Sequence, residues 1–232
     1  MIAAAAMIAY LMLAPNASSP PATTKTESTS DFLNEVFQDN DNFKSSYTTD
    51  FFQTFSEHQS PRYTFLGCSD SRAHIMSFDK TPQNDNFAIR NIGNQIVTSE
   101  GSIDYGVEVL NSQYLLIVGH SGCGAVTAAL AKKKTKIAAI DKELSTLKIS
   151  KEDLNSAIVE NVHNQVQHAL LKYKTKIDTG ELIIIGMVYD FKNDFDLGYG
   201  SIILVNENGI TDTTKLTESY GDKVKHVKFL ND

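Results

Sequence analysis

Three features of the sequence predict an α/β fold with a mainly parallel central β-sheet flanked by helices. Residues 114–119 (Tyr-Leu-Leu-Ile-Val-Gly) and 182–188 (Leu-Ile-Ile-Ile-Gly-Met-Val) are apolar without alternation, as expected of central parallel strands buried on both faces. Between them Leu154, Ile158, Val162, Val166 and Leu170 recur every four residues within 154–173, the stripe of a long amphipathic helix. Strand-like and helix-like segments alternate along the chain, the pattern that sandwiches a parallel sheet between helices.

The remaining elements follow in order. Residues 1–14 are almost wholly apolar, long enough for the core of a signal peptide and too short to span a bilayer comfortably. No Lys or Arg precedes Lys25, and Pro15 sits where cleavage wants a small residue, so a mis-set start is the alternative. The expectation is a signal peptide over 1–17 and export, to the periplasm, with the cytoplasm as the alternative and no stable membrane span. A Ser/Thr/Pro linker over 18–30 lacks core-forming residues. A single domain is expected over 31–232, a length that can bury a substantial core.

That domain opens with a helix from about Ser30-Asp31 carrying Phe32, Leu33, Val36 and Phe37. A second helix is expected over 49–57, with Phe51, Phe52 and Phe55 on one face, packed on this protein's body or on a second subunit. Strands are predicted over 62–67 and 87–90, and a final one over 201–205. Helices are predicted over 102–110, where Ile103, Val107 and Leu110 share a face, and over 125–132. The tail, 206–232, is polar and reads as a surface or partner wrap. With 21 basic and 28 acidic residues the net charge is −7, which argues against a nucleic-acid partner.

The chemistry gathers at two strand ends. Cys68-Ser69-Asp70-Ser71-Arg72 follows the 62–67 strand, and His120-Ser121-Gly122-Cys123 follows the 114–119 strand. Open α/β sheets place their sites at such carboxyl ends, so ligands distant in sequence meet. Two thiols and an imidazole make a zinc site of suitable softness, and three protein ligands leave a fourth position open, as in catalytic zinc. Zinc has no redox chemistry and lowers the pKa of bound water, to about 7 where three histidines hold it and less far where two thiolates donate more negative charge, so hydrolysis or hydration is the natural inference. A disulfide or two buried thiols is the alternative, relevant in an oxidising compartment.

Asp70 can either aim a nucleophile at that open position or enter it. Arg72, with its planar fork, can hold Asp70 away; the plainer reading is an ordinary turn salt bridge. Gly119-His-Ser-Gly-Cys-Gly124 is neither a nucleophile elbow nor a dinucleotide loop. Its glycines let backbone amides approach a small anion at the next helix start. His58, His74, His163, His168 and His226 read as surface or packing residues.

At these residues the chain resembles the β-class carbonic anhydrases, in their plant-like, open-site branch. The pieces occur in order: Gln59-Ser-Pro61, Cys68-Ser-Asp-Ser-Arg72, Arg90-Asn-Ile-Gly-Asn94, Ser102-Ile-Asp-Tyr-Gly-Val-Glu-Val-Leu110, Gly119-His-Ser-Gly-Cys-Gly124 and Gly186-Met-Val-Tyr-Asp190. The resemblance implies reversible hydration of CO2 to bicarbonate and a proton, by zinc-bound hydroxide oriented by the Asp70/Arg72 dyad. It implies one Zn2+ per chain on Cys68, His120 and Cys123. Gln59 would bind substrate across a dimer interface, and Phe87, Ile92 and Tyr105 would line the CO2 pocket. The backbone amide near Gly124, with the Gln59 carboxamide, would stabilise the substrate oxygens as charge develops. It further implies an N-terminal helical arm packing on a second subunit, in a homodimer or higher homo-oligomer.

Some relatives close their site with bicarbonate in a second pocket lined by Trp, Arg and Tyr. Arg90 and Tyr189 match two of these positions, but Phe65 stands at the third and the chain has no Trp, which favours the open type. Carbonyl sulfide or carbon disulfide hydrolysis on the same site is an alternative activity, and a non-catalytic zinc-binding protein an alternative class.

Overall fold

A computed structural model describes residues 27–221, 223–224 and 226–230. The expected signal peptide, and the linker up to residue 26, lie outside the described residues. The chain divides into two compact units, Met1–Thr54 and Phe55–Asp232.

In the first unit, α1 spans Thr29–Ser45 and α2 Thr49–Gln53. Helix α1 starts slightly earlier than the sequence suggests because the Ser28 hydroxyl accepts the Asp31 N–H, and the Asp31 charge favours the first turn. Thr48 caps α2 in the same way. Helix α2 stops short of residue 57, and Thr54, its C-cap, donates its hydroxyl to the Phe51 carbonyl. Phe43, Tyr47, Phe51 and Phe52 form one aromatic cluster, with centroids 4.0 to 6.3 Å apart. No residue of α1 is buried.

The second unit is built on a five-stranded sheet in the order β2-β1-β3-β4-β5. The strands are β1 (Tyr63–Cys68), β2 (Asn86–Asn91), β3 (Tyr114–His120), β4 (Ile183–Asp190) and β5 (Ser201–Glu207). The first four run parallel and β5 is antiparallel to β4. Strand order reverses between β1 and β3, the switch point where open α/β sheets open a crevice.

One sheet face buries Leu66, Leu115, Ile117, Ile184 and Ile203 completely, much of it under α6 (Leu154–Lys172). The predicted stripe is the packing face: Ile158, Val162 and Val166 are buried with Ala157 and Ala169. Each of the buried Ile and Val side chains stabilises the fold by roughly 1.5–3 kcal/mol. Helix α6 can lie close because Gly119 and Gly186 lack side chains; a Cβ at either would stand 2.8 Å from a Val162 methyl. The opposite face buries Tyr63, Phe65, Ile75 and Val118.

Smaller elements differ from the sequence expectation. The 102–110 helix is α3 (Glu100–Asp104) followed by a π-helical turn over Tyr105–Val109, in which Leu110 N–H reaches the Tyr105 carbonyl at 2.9 Å. Helix α4 (Gly124–Leu130) is as expected. Helices α5 (Ala138–Leu144) and α7 (Lys174–Asp178) were not foreseen, nor was α8 (Thr213–Tyr220) within the tail. Among the described residues no helix is long and apolar enough to cross a membrane.

Candidate metal centre

Cys68 is the last residue of β1 and His120 the last of β3. After His120 the chain turns through Gly122, whose φ of +63° an L side chain rarely adopts, and Cys123 becomes the N-cap of α4. Their donor atoms lie within 4.8 Å of one another and all three residues are buried. Neither cysteine is in a disulfide.

The donor set fits a thiophilic cation. His120 Nδ1 is 2.9 Å from the Ser121 carbonyl, so in the neutral ring Nδ1 carries the proton and the Nε2 lone pair is free to bind a metal. Nε2 is buried with no hydrogen-bond partner, a costly state that a metal would relieve. The two thiols share their protonation unequally. A hydrogen bond from Cys123 lowers the pKa of Cys68 most, helped by the His120 imidazole and by the N–H groups of Gly93 and Asp70, against the effect of burial. The same contact and burial push Cys123 up, although Val126 and Ala125 N–H groups at the start of α4 point at its sulfur. A zinc ion would replace the shared proton and be bound by two sulfurs and one nitrogen.

Asp70 lies two residues past the first thiol. Its Oδ1 accepts from Arg72 Nε at 2.9 Å and from Arg72 N–H at 3.0 Å, and its Oδ2 from Nη2 at 2.7 Å. The Arg72 hydrogen bond holds this carboxyl well below the usual carboxylate range. Oδ2 is 4.0 Å from His120 Nε2.

The loop carrying Asp70 is fastened by Arg90 of β2, whose guanidinium donates to the carbonyls of Cys68 (3.0 Å), Asp70 (2.7 Å) and Ala73 (3.0 Å). Arg90 therefore serves as a backbone clamp here. The loop after β2 is fixed from α6: Asn161 Nδ2 donates to the Gly93 carbonyl at 2.9 Å, and Gln165 Oε1 accepts from Ile96 N–H at 2.9 Å. This holds the Gly93 N–H toward Cys68.

The expected site residues fall into two groups. Ile92 directly follows β2, whose Asn91 is paired with Cys68, and Gly124 begins α4 directly after Cys123; both are at the end of the sheet that carries the trio and the Asp70/Arg72 pair. Phe87 and Tyr105 meet each other with centroids 5.6 Å apart. Phe87 is paired with Thr64, four residues before Cys68, or about 13 Å along the strand. Gln59 is exposed, and the adjacent Ser60 N–H is bound to Asn84 Oδ1 at 2.8 Å, just ahead of β2. Within one chain, then, Gln59, Phe87 and Tyr105 are not brought to the trio. Phe65 is buried against Phe78, at 5.7 Å.

Sequence reasoning missed Phe191, whose ring lies beside both Arg72 and His120, and the roles of Arg90, Gly93, Ser121 and Asn161. The signal for Phe191 was its position just past the strand that neighbours β3, at the same end of the sheet.

A fold of this topology, with a Cys-His-Cys trio at the β1/β3 crevice, is that of the β-class carbonic anhydrases. A family profile described as carbonic anhydrase matches residues 63–195, more than half of the chain, and the chain belongs to that family. It is similar to a carbonic anhydrase of Candida albicans, 35% identical over 124 residues that cover 51% of this chain and 44% of the relative. It is also similar to one of Synechococcus elongatus, 37% identical over 98 residues that cover 38% and 36%. The chain thus spans less than half the length of these curated relatives. Among solved structures, a tetrameric β-carbonic anhydrase of Sordaria macrospora shares the fold, with a TM-score of 0.64 at 22% identity over 78% of this chain and 98% of that one.

Proposed function

We propose that this chain catalyses the reversible hydration of CO2 to bicarbonate and a proton. The observation that carries the proposal is the buried trio of Cys68, His120 and Cys123, with a bare His120 Nε2 and an ionised Asp70 alongside. Zinc bound there supplies the Lewis acidity that makes water a competent nucleophile near neutral pH.

The chain's own residues do the rest. Ser121 fixes the His120 tautomer. Asp70 would accept a hydrogen bond from the attacking oxygen and so aim its lone pair at the CO2 carbon; Arg72, bonded to both carboxylate oxygens, would keep Asp70 from binding the metal itself. Ile92 would offer an apolar wall to a neutral substrate, and the Gly124 N–H, at the start of α4 beside Cys123, would stabilise charge developing on a substrate oxygen.

Gln59, Phe87 and Tyr105 would come from a second copy of the chain, because in a single chain they sit near the other end of the strands. The apolar residues Phe32 (53% exposed), Leu33, Val36 and Phe37 (66%) of α1 would be covered by that second copy, giving a homodimer or higher homo-oligomer. The Sordaria protein's tetrameric state supports assembly of this kind.

Stopped-flow CO2 hydration on zinc-loaded full-length chain, between about pH 6.5 and 9, tests the reading. Hydration that persists toward neutral pH is the expected result. About one zinc per chain with no hydration at any of these pH values would overturn it, and release of hydrogen sulfide from carbonyl sulfide by that same sample would redirect it.

A further inference from the structure

Phe191 touches the two parts of the centre that the proposed mechanism keeps separate. It directly follows β4, and the chain there is folded back by the fully buried Asp190, which accepts from the N–H groups of Asp194 (3.0 Å) and Phe195 (2.9 Å). The turn is tied to the ligand loop as well: Ser121 N–H donates to the Tyr189 carbonyl at 3.0 Å, and Lys192 N–H to Ser121 Oγ at 3.3 Å. These bonds fix the Phe191 ring where the Arg72 guanidinium carbon lies 4.7 Å from its centroid. The same ring is stacked on the His120 imidazole, 6.0 Å away with an interplanar angle of 24°.

We propose that Phe191 is a positioning residue: its ring is the shelf that keeps the Arg72 fork closed on Asp70, and thereby keeps Asp70 out of the metal's fourth coordination position. The inference rests on zinc occupying the trio, as in the proposed function. Arg72 needs such a shelf. The fork itself is bidentate, but the Arg72 side chain is 54% exposed, and holding so long a side chain in one geometry costs rotamer entropy that a packed ring face offsets. Its only other hydrogen bond among the described residues is a long one, 3.4 Å, from Nη2 to the Gly122 carbonyl. A cation over an aromatic face gains electrostatic attraction without competing for the guanidinium N–H groups.

The test uses the full chain with cobalt(II) in place of zinc, and azide as a probe of the open position, followed by the visible absorption of the metal. In Phe191→Leu, azide should bind roughly threefold to tenfold more weakly, the worth of one cation–π contact. Phe191→Tyr, which keeps the ring face, should bind like the parent. In an Asp70→Asn background the Leu substitution should have no effect, because the group that would compete with azide is gone.

Equal azide affinity in Phe191→Leu and the parent would overturn the proposal. So would an equal loss in both backgrounds, which would mark a merely structural ring. If the Leu variant does not fold, Phe191→Met takes its place. In the parent protein, the Arg72 Nε–H proton should show an upfield ring-current shift in NMR, and its absence would also count against the shelf. Azide reports coordination whether or not CO2 is hydrated, so a failed hydration assay and a failed shelf are separate results; a parent that takes up no cobalt would end both.

Discussion

Arg72 meets Asp70 edge-on, Nε to Oδ1 at 2.9 Å and Nη2 to Oδ2 at 2.7 Å, while Oδ2 stays 4.0 Å from His120 Nε2. The carboxylate is held ionised and close to the trio without being one of its three donors. Asp70→Asn keeps the shape and removes the charge. It should retain zinc and lose about a hundredfold or more of CO2 hydration; near-parental turnover would remove Asp70 from the mechanism.

Arg90 makes three hydrogen bonds to the carbonyls of Cys68, Asp70 and Ala73. Charge-assisted bonds of this kind are not replaced by an apolar side chain. Arg90→Met should destabilise the fold by about 2–3 kcal/mol, lower the melting temperature by roughly 5–10 °C, and weaken zinc retention against a chelator. Arg90→Lys should recover only part of this, since an ammonium cannot span three carbonyls. Unchanged melting and zinc affinity would show the loop to be held by other contacts.

Metal-free protein carries protons at the centre, because Cys123 is pushed up while Cys68 is drawn down and His120 is raised. For His120, burial is the largest single influence and opposes the change, but the Cys68 sulfur, the Ser121 carbonyl and Asp70 together outweigh it. Zinc binding near neutral pH should therefore release about one to two protons. Calorimetric titrations in buffers of different ionisation enthalpy count them, and a heat independent of buffer would contradict the assignment.

His163 on α6 gives a pH dependence of stability away from the metal. Burial lowers its pKa below the ordinary imidazole value, against a pull from Glu160, and Asn206 Nδ2 lies 3.1 Å from its Nδ1. Below about pH 6.5 the unfolded chain takes up a proton that folded His163 resists. Stability from this group is therefore complete above that pH and falls as the pH drops toward the depressed folded value. His163→Gln should narrow the gap in urea midpoint between about pH 5 and pH 7. A gap as wide as the parent's would place the sensitivity elsewhere.

Complementation tests whether a site is built from two copies. Gln59→Ala and Asp70→Asn proteins should each be impaired, and co-refolding them should restore part of the hydration rate. In a mixed pair one trio keeps its own Asp70 and receives Gln59 from the other chain. No recovery on mixing would mean that Gln59 serves its own chain or does not reach any site.

The trio and the dyad were legible in the sequence because metal ligation demands particular residue types and the apolar runs before Cys68 and His120 reveal strands. Direction is less visible: β5 reads as a strand from its apolar residues, yet nothing in Ser-Ile-Ile-Leu-Val says it runs antiparallel to β4. Helices α5 and α8 were missed because each buries one residue, Leu144 or Leu216, too few to make a periodic stripe. Phe191 and Asn161 act across contacts with residues remote in sequence, and no local pattern marks such a contact. Gln59, Phe87 and Tyr105 were recognisable by resemblance alone, and the strand register then separated them from the trio of their own chain.

The most direct measurement is the loss of 18O from labelled CO2 and bicarbonate at equilibrium, on full-length protein with its zinc content determined, beside Asp70→Asn loaded to the same level. The account predicts rapid, zinc-dependent label loss in the parent and a collapse of that rate in the variant. Label loss no faster than in buffer, from a parent chain holding about one zinc, would contradict it.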